Sequence, residues 1–489
     1  MLILAINLSE GNARFARLGN ADCLVRTMSN AVVVVDGSGR LSSPVMSTWS
    51  RWRAGVAGLF PAAEPVRTAR VWVTCWYVVA FAAAAGYLLL IPAGRSRLDH
   101  VWAEDGSRFL FDAYTLPWAS ALVTPYGGYL HSVPRLASEL VSQLPLSWAA
   151  AGLAISAAVL RAGLALLVFA ASGGFLRSLP VRLALAALVV LAPVGNVEAL
   201  NNLANFHWFA LYGAFWMLLW RPASRWASGL AAVVVFVATT TSPLVLLLAP
   251  LALARFALPG WRQRMITLGF CLGAAVQSVA VLLATRVPYS SVPVDLKGAA
   301  LTGLMRVPLV AFTSSEDTAL IYRAFNYWPA VVALVAVLCL AGLVLRWGGA
   351  PRRALVVAAV GYSALFISLA LMQNWQPVLY MNRSGVVDAQ RYSVAPCLFL
   401  LTAVAVGLDR VPRAGWRRLG MLAARAVVAA VLLTGIVRQL PMSAGHLSGV
   451  PWDQTASTAD RDCAQGKPAA LIRQEPAGWD FELPCDRLG

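Results

Sequence analysis

From Val71 to Ile91 the chain runs for 21 residues without one charged side chain, and ten more apolar runs follow before Arg438. They are Ala149–Ala170, Leu183–Val194 with its flanks, Phe206–Trp220, Leu230–Thr241, Leu244–Phe256, Ile266–Thr285, Pro329–Leu345, Ala354–Met372, Val394–Leu408 and Met421–Val437. A helix needs about 20 mostly apolar residues to cross a bilayer, and it satisfies its own backbone while doing so. Of the 489 residues 59% are hydrophobic and 12% charged, whereas a soluble domain carries about 25% charged residues. These features predict an all-α polytopic membrane protein with about 11 transmembrane helices of uneven length. Several runs are shorter than a full crossing. Leu230–Phe256 is broken at Thr241-Ser242-Pro243 and reads either as a re-entrant hairpin or as two spans meeting at a shallow turn. A helix broken by proline at membrane depth survives only where it is packed in protein or lines a cavity.

The net charge is +17, and the basic residues fall mostly between apolar runs. Positive charge there marks cytoplasmic loops and anionic head groups. No basic-aromatic module stands apart from the spans, which argues against nucleic acid. Arg51, Arg53, Arg67 and Arg70 precede the first span. Alternate connections then carry Arg177/Arg182, Arg221/Arg225, Arg262/Arg264, Arg346/Arg352/Arg353 and Arg410/Arg413/Arg417/Arg418. The opposite connections, 92–148, 195–205, 286–328, 373–393 and the tail from Arg438, hold nearly all the acids and histidines. The expected organisation is a cytoplasmic segment 1–70, a transmembrane domain 71–437, and an extracytoplasmic tail 438–489. Residues 1–45 read as disordered or as upstream of the true start, because Met46 opens a basic approach to the first span. Cys463 and Cys485 sit in the polar tail and suggest a disulfide, in agreement with an external C-terminus. The other cysteines named by the apolar runs, Cys75, Cys271, Cys339 and Cys397, read as small hydrophobes.

Polar chemistry is therefore expected on the external face. Trp102-Ala103-Glu104-Asp105-Gly106 places two carboxylates just past the first span. A carboxylate there is a solvated turn residue or a general base taking a proton from a hydroxyl. Adjacent residues point differently, so spacing alone does not choose between Glu104 and Asp105; Asp105 is the preferred expectation. The same loop carries Pro125-Tyr126-Gly127-Gly128-Tyr129-Leu130-His131. An amphipathic surface helix follows over Pro134–Leu144, with Leu136, Leu140, Val141 and Leu144 on one face and Arg135, Ser138, Glu139 and Gln143 on the other. At the outer end of two short spans lie Glu198, Asn202, Asn205, His207 and Trp208. Polar groups at that depth are costly unless paired, so their density suggests a hydrated cavity. Arg383, Arg391 and Tyr392 precede the span at Val394, where an arginine's planar fork suits a lipid phosphate. Arg161, near the middle of its span, is expected to face the bundle interior. The sequence contains no P-loop, no zinc-spaced Cys/His set and no Gly-x-Ser-x-Gly elbow.

Glu104-Asp105 in a first external loop, the amphipathic helix in that loop, the uneven spans and Arg391-Tyr392 together resemble the GT-C superfamily of membrane glycosyltransferases. The resemblance covers roughly residues 70–438 in layout. It implies a polyprenyl-phosphate sugar donor and transfer of a hexose or pentose to a lipid-linked or cell-envelope glycan outside the membrane. Asp105 or Glu104 would be the base, and Arg391, Arg383 and Tyr392 would hold the donor phosphate. Tyr129, His131, Glu198, Asn202, Asn205, His207 and Trp208 would bind sugar or acceptor. It implies no cofactor beyond the lipid-linked donor and leaves a divalent metal open. Alanine- and arginine-rich usage fits a bacterial inner or plasma membrane. The tail carries no large acceptor-binding domain, a departure from many members. Two other readings compete: a transporter or flippase of lipid-linked sugar, which internal repeats would favour and for which none is found, and a non-catalytic envelope-assembly protein.

Overall fold

The computed structural model describes residues 24–28, 31–35, 48–62, 70–90, 97–195, 199, 201–284, 295–373, 389–409, 415–439 and 449–488. An antiparallel hairpin of β1 (Leu24–Met28) and β2 (Ala31–Val35) comes first, in a stretch where no long apolar run gave reason to expect order. The β-branched valines Val32 to Val35 favour the extended chain there. Next come α1 (Thr48–Ala57), α2 (Arg70–Leu90) and three short helices, α3 (Phe111–Thr115), α4 (Trp118–Val123) and α5 (Ser132–Val141). The bundle continues through α6 (Ala149–Ser172), α7 (Leu179–Leu191), α8 (Phe206–Leu219), α9 (Arg225–Thr241), α10 (Ala249–Ala254) and α11 (Trp261–Leu283). After α12 (Leu296–Leu304) and α13 (Ser315–Phe325) come α14 (Trp328–Trp347), α15 (Ala350–Gln373), α16 (Arg391–Leu408) and α17 (Trp416–Gln439). The tail folds as α18 (Trp452–Ala464) and a hairpin of β3 (Ala469–Ile472) and β4 (Phe481–Pro484). A disulfide joins Cys463 to Cys485.

The described residues of the eleven apolar runs lie mainly on helical segments, yet among the described residues seven helices are long and apolar enough to cross a membrane. The expected count of about eleven spans is therefore not reached by length. α8 has 14 residues, about 21 Å at 1.5 Å per residue, against about 30 Å of hydrocarbon. Its sequence is apolar all round, as suits a helix enclosed by protein; apart from His207 every residue in it is buried. α16 is buried from Ser393 to Leu408. These two helices form the centre, joined by the Tyr212 and Thr402 hydroxyls at 2.8 Å and by Phe215 edge-on to Phe399. α2 and α17 lie at the periphery with most of their apolar surface outward.

α8 and α16 also fix the two ends of the molecule. At the far end Asp409 accepts from the Arg177 and Ser178 amides at 2.8 and 2.9 Å and pairs with Arg352 at 3.3 Å. Arg255 there binds the carbonyls of Leu218 and Trp220. Short, arginine-rich connections thus gather at one end. The opposite end carries the long 97–148 connection, the turn before α8, the start of α16 and the tail. Arg161 meets the Val189 and Val190 carbonyls at the end of α7 and stacks 3.9 Å from the Phe209 ring centre, facing the interior as expected.

Candidate active site

The first long connection is held down by the bundle beneath it. Tyr126 and Tyr129 exchange backbone hydrogen bonds at 3.0 and 3.3 Å around Gly127 and Gly128, whose φ of 58° and 88° favours glycine. The Leu130 amide donates to Gln277 Oε1 of α11 at 3.3 Å, and the Val133 amide to Thr241 Oγ1 of α9 at 3.2 Å. α5 buries Arg135 and Ser138, and Arg135 pairs with Asp112 at 2.9 Å. Leu136, Leu140 and Leu144 face outward, while Val141 turns into the core. The polar face of this amphipathic helix therefore packs on protein.

The structure gives the two acids different places. Asp105 is 3% exposed and opens a wide π-helical turn, Asp105–Leu110. Its Oδ2 accepts from the Leu203 amide at 2.8 Å and its Oδ1 from the Ala204 amide at 2.7 Å. It latches the first connection to the turn before α8, and it does not line the cavity described next. Burial raises its carboxyl to about 7, against the pull of the two amides, with the Glu104 charge adding to the rise. Glu104 is half-buried and faces the cavity. Asp105, the preferred expectation for the base, has both oxygens engaged by backbone amides, and of the two acids Glu104 is the one that lines the cavity.

The cavity holds about 580 Å³. Glu104 stands on one side and Arg391, at the first residue of α16, on another; the Tyr126 phenol lies within electrostatic reach of both charges. An aromatic band joins these sides. Tyr129 stacks on His131 at 4.1 Å, and His131 meets His207 edge-on at 6.5 Å. His207 lies 4.6 Å from Trp208, and Trp208 lies 5.4 Å from Tyr392. The Arg391 guanidinium completes the band, 5.1 Å from the Tyr392 ring centre. His207 Nδ1 lies 2.7 Å from the Ala204 carbonyl; a carbonyl only accepts, so that nitrogen carries the proton and Nε2 presents a lone pair. His131 is held neutral, first by burial and then by its basic neighbours His207 and Arg135, which disfavour a second positive charge beside them. Its Nδ1 has no hydrogen-bond partner among the described residues.

The remaining wall is apolar. Val281 of α11 and Phe366, Leu369 and Met372 of α15 line it, together with Pro243 and Leu244 from the break after α9. Ser242 there is extended, and the hydroxyls of Thr239, Thr240 and Thr241 bond back to carbonyls one turn earlier. The proline-broken segment thus lines a cavity, the setting in which such a break is tolerated.

Of the residues singled out from the sequence, Glu104, Tyr129, His131, Asn205, His207, Trp208, Arg391 and Tyr392 meet at this cavity. Asn202 does not: its Oδ1 accepts from the Asn205 amide at 2.8 Å and closes the turn that presents Asn205 and His207. Glu198 and Arg383 lie outside the described residues. Among the described residues no three His, Cys, Asp or Glu side chains group as a metal site requires. The apolar wall, Gln277 and Thr241 were not foreseen. The two polar residues inside otherwise apolar helices were the available signal.

No protein-family model matches the chain, and no curated protein matches it by sequence. Among solved structures it is similar to the cryo-EM structure of the arabinofuranosyltransferase AftD from mycobacteria, with a TM-score of 0.45 and 18% sequence identity over 82% of this chain. The chain spans 29% of the length of that protein.

Proposed function

We propose that this chain is a membrane glycosyltransferase of GT-C type that moves a sugar from a polyprenyl-phosphate donor to a glycan or lipid acceptor. The carrying observation is the composition of one cavity, in which a carboxylate, an arginine, an aromatic-histidine band and an apolar side wall converge. Each part matches one part of the reaction. The apolar wall of α11 and α15 suits an isoprenoid chain entering from the bilayer. Arg391 suits the phosphate, since a guanidinium binds phosphate oxygens bidentately and neutralises a leaving phosphate. The band from Tyr129 to Trp208 offers ring faces and histidine nitrogens to a sugar.

In the proposed step an acceptor hydroxyl oxygen attacks the anomeric carbon and the bond from that carbon to the phosphate oxygen breaks. Polyprenyl phosphate leaves with the electron pair, and the hydroxyl proton passes to Glu104. A neutral His131 and the Nε2 lone pair of His207 can accept hydrogen bonds from sugar hydroxyls. The arginine-rich end is assigned to the cytoplasm and the cavity to the opposite face.

The test uses the purified full chain in nanodiscs with long-chain polyprenyl phosphates carrying, in turn, a pentofuranose and a hexopyranose. Release of polyprenyl phosphate and mass gain on a glycan acceptor are followed together. Transfer from one donor and its loss in Glu104→Gln support the reading. Full transfer by Glu104→Gln removes Glu104 as the base, and a chain that neither binds nor consumes any of the donors removes the class.

A further inference from the structure

Among its described residues the tail lines none of the cavity, yet several of its hydrogen bonds converge on the residue before Glu104. Ala103 has φ of 42°, a left-handed conformation that costs a residue with a Cβ about 1–2 kcal/mol. Its N–H donates to the Glu475 carbonyl, and the Glu475 amide donates to Val101 O at 3.0 Å, so this stretch gains a parallel partner strand from the tail. The Ala103 carbonyl accepts from Gln474 Nε2 at 2.8 Å, and the same nitrogen donates to Trp479 O at 2.6 Å. Gln474 is itself fastened, its amide donating to Asp480 Oδ1 at 3.1 Å. A Cβ on Gly106 would fall 1.8 Å from Gln474 Oε1, so the turn after Glu104 is shaped around this side chain. Further out, Trp452 Nε1 donates to Leu146 O at 2.8 Å and Phe481 packs edge-on to Phe111. The Cys463–Cys485 disulfide encloses the segment that holds Gln474 and Glu475.

Strained backbone persists only where surrounding structure over-determines it, and it collects where a side chain must be aimed. We infer that Gln474 is a positioning residue: with Glu475 it locks Ala103 in its left-handed conformation and so aims Glu104 into the cavity, making the disulfide-bonded tail a brace for the base. This rests on Glu104 being the base. The tail supplies orientation and no substrate contact.

The test is Gln474→Met, close in size and lacking both donors, in the full chain in nanodiscs with the polyprenyl-phosphate sugar that the wild type turns over. The expected result is a fall of about tenfold in kcat, the size of one such backbone penalty, with KM for the donor unchanged. Amide exchange over residues 101–107 should rise in parallel. Ala103→Gly, which adopts the left-handed conformation without penalty, should restore much of the kcat in the Gln474→Met background; a merely stabilising role for Gln474 predicts no such rescue. Unchanged kcat and exchange in Gln474→Met, in a protein whose Glu104→Gln variant is inactive, overturns the positioning role and leaves the base standing. An active Glu104→Gln variant removes both.

Discussion

Exchanging each acid of the Glu104-Asp105 pair for its amide should give two different phenotypes. In Asp105→Asn one carboxylate oxygen becomes an NH2 group facing the amide of Leu203 or Ala204, which now donate at 2.8 and 2.7 Å. A donor then opposes a donor at a site 3% exposed, and leaving one buried amide unsatisfied costs about 1–3 kcal/mol. The pH dependence follows from the raised carboxyl. The folded group titrates near 7 and the unfolded one near 3.8. The stability from its neutral form is complete below 3.8 and is lost as pH rises to about 7. Asparagine does not titrate, so the penalty of Asp105→Asn should be larger at pH 5 than at pH 8. Glu104→Gln changes a half-buried group facing the cavity and should move stability by less than about 0.5 kcal/mol. Removing a general base should lower transfer about a hundredfold to ten-thousandfold. Thermal midpoints at both pH values, followed by tryptophan fluorescence in nanodiscs, are compared with rates of polyprenyl phosphate release. An unshifted midpoint and abolished transfer in Asp105→Asn, beside full transfer in Glu104→Gln, would reverse the roles assigned here.

Arg391→Ala should weaken quenching of Trp208 fluorescence by polyprenyl phosphate, while Arg391→Lys keeps part of it; equal binding by all three forms removes the phosphate role. Leu140 is 74% exposed on the outer face of α5. A spin label at a Leu140→Cys site should be relaxed by dissolved oxygen more than by a water-soluble nickel complex, and the opposite order places this face in water. Replacing Cys463 and Cys485 by serine should lower the stability of the tail by about 2–4 kcal/mol, read as faster amide exchange over 469–484; unchanged exchange shows that packing alone holds the tail. Tyr212→Phe removes the hydroxyl contact with Thr402 and should cost about 1 kcal/mol in thermal stability with transfer retained.

The membrane character of the chain was legible because hydrophobicity is local: each apolar run carries its own evidence for a helix. Which of the short runs lie enclosed in protein was not, because α8 is buried by neighbours distant in sequence. The boundary of α7 moved to Leu179–Leu191 because Pro180 starts a helix well at its first turn. At the site, Arg391 and His207 stood out as polar residues beside apolar runs. Asp105 was preferred over Glu104 with no sign of the Leu203 and Ala204 amides, about a hundred residues away, that engage both its oxygens. Gln277, Thr241 and Gln474 were hidden for the same reason: each acts on backbone that only the tertiary fold brings near.

The departures from ordinary backbone geometry are not scattered. Among the described residues four other than glycine have positive φ: Ala103, Asn201, Asn326 and Ala389. Ala103 directly precedes Glu104. Asn201 lies in the turn that delivers Asn205 and His207. Ala389 stands two residues before Arg391, where its carbonyl accepts from the buried Arg306 guanidinium at 3.2 Å and the next residue, Gln390, accepts from the Gly195 amide at 3.3 Å. Asn326 sits apart, in the turn between α13 and α14. A left-handed residue costs about 1–2 kcal/mol, and a sequence selected for stability alone would place glycine at two such alanines. Each of these two alanines is instead held by a partner from another part of the chain, and each sits just before a side chain that reaches the cavity. Where local rules are broken and held broken, function is the expected reason. Ala103→Gly and Ala389→Gly should therefore raise the thermal midpoint and keep transfer, because glycine takes the left-handed conformation without penalty and keeps the backbone contacts that hold it. An unchanged midpoint, or a loss of transfer in either variant, would show that the left-handed conformation is not what aims these side chains.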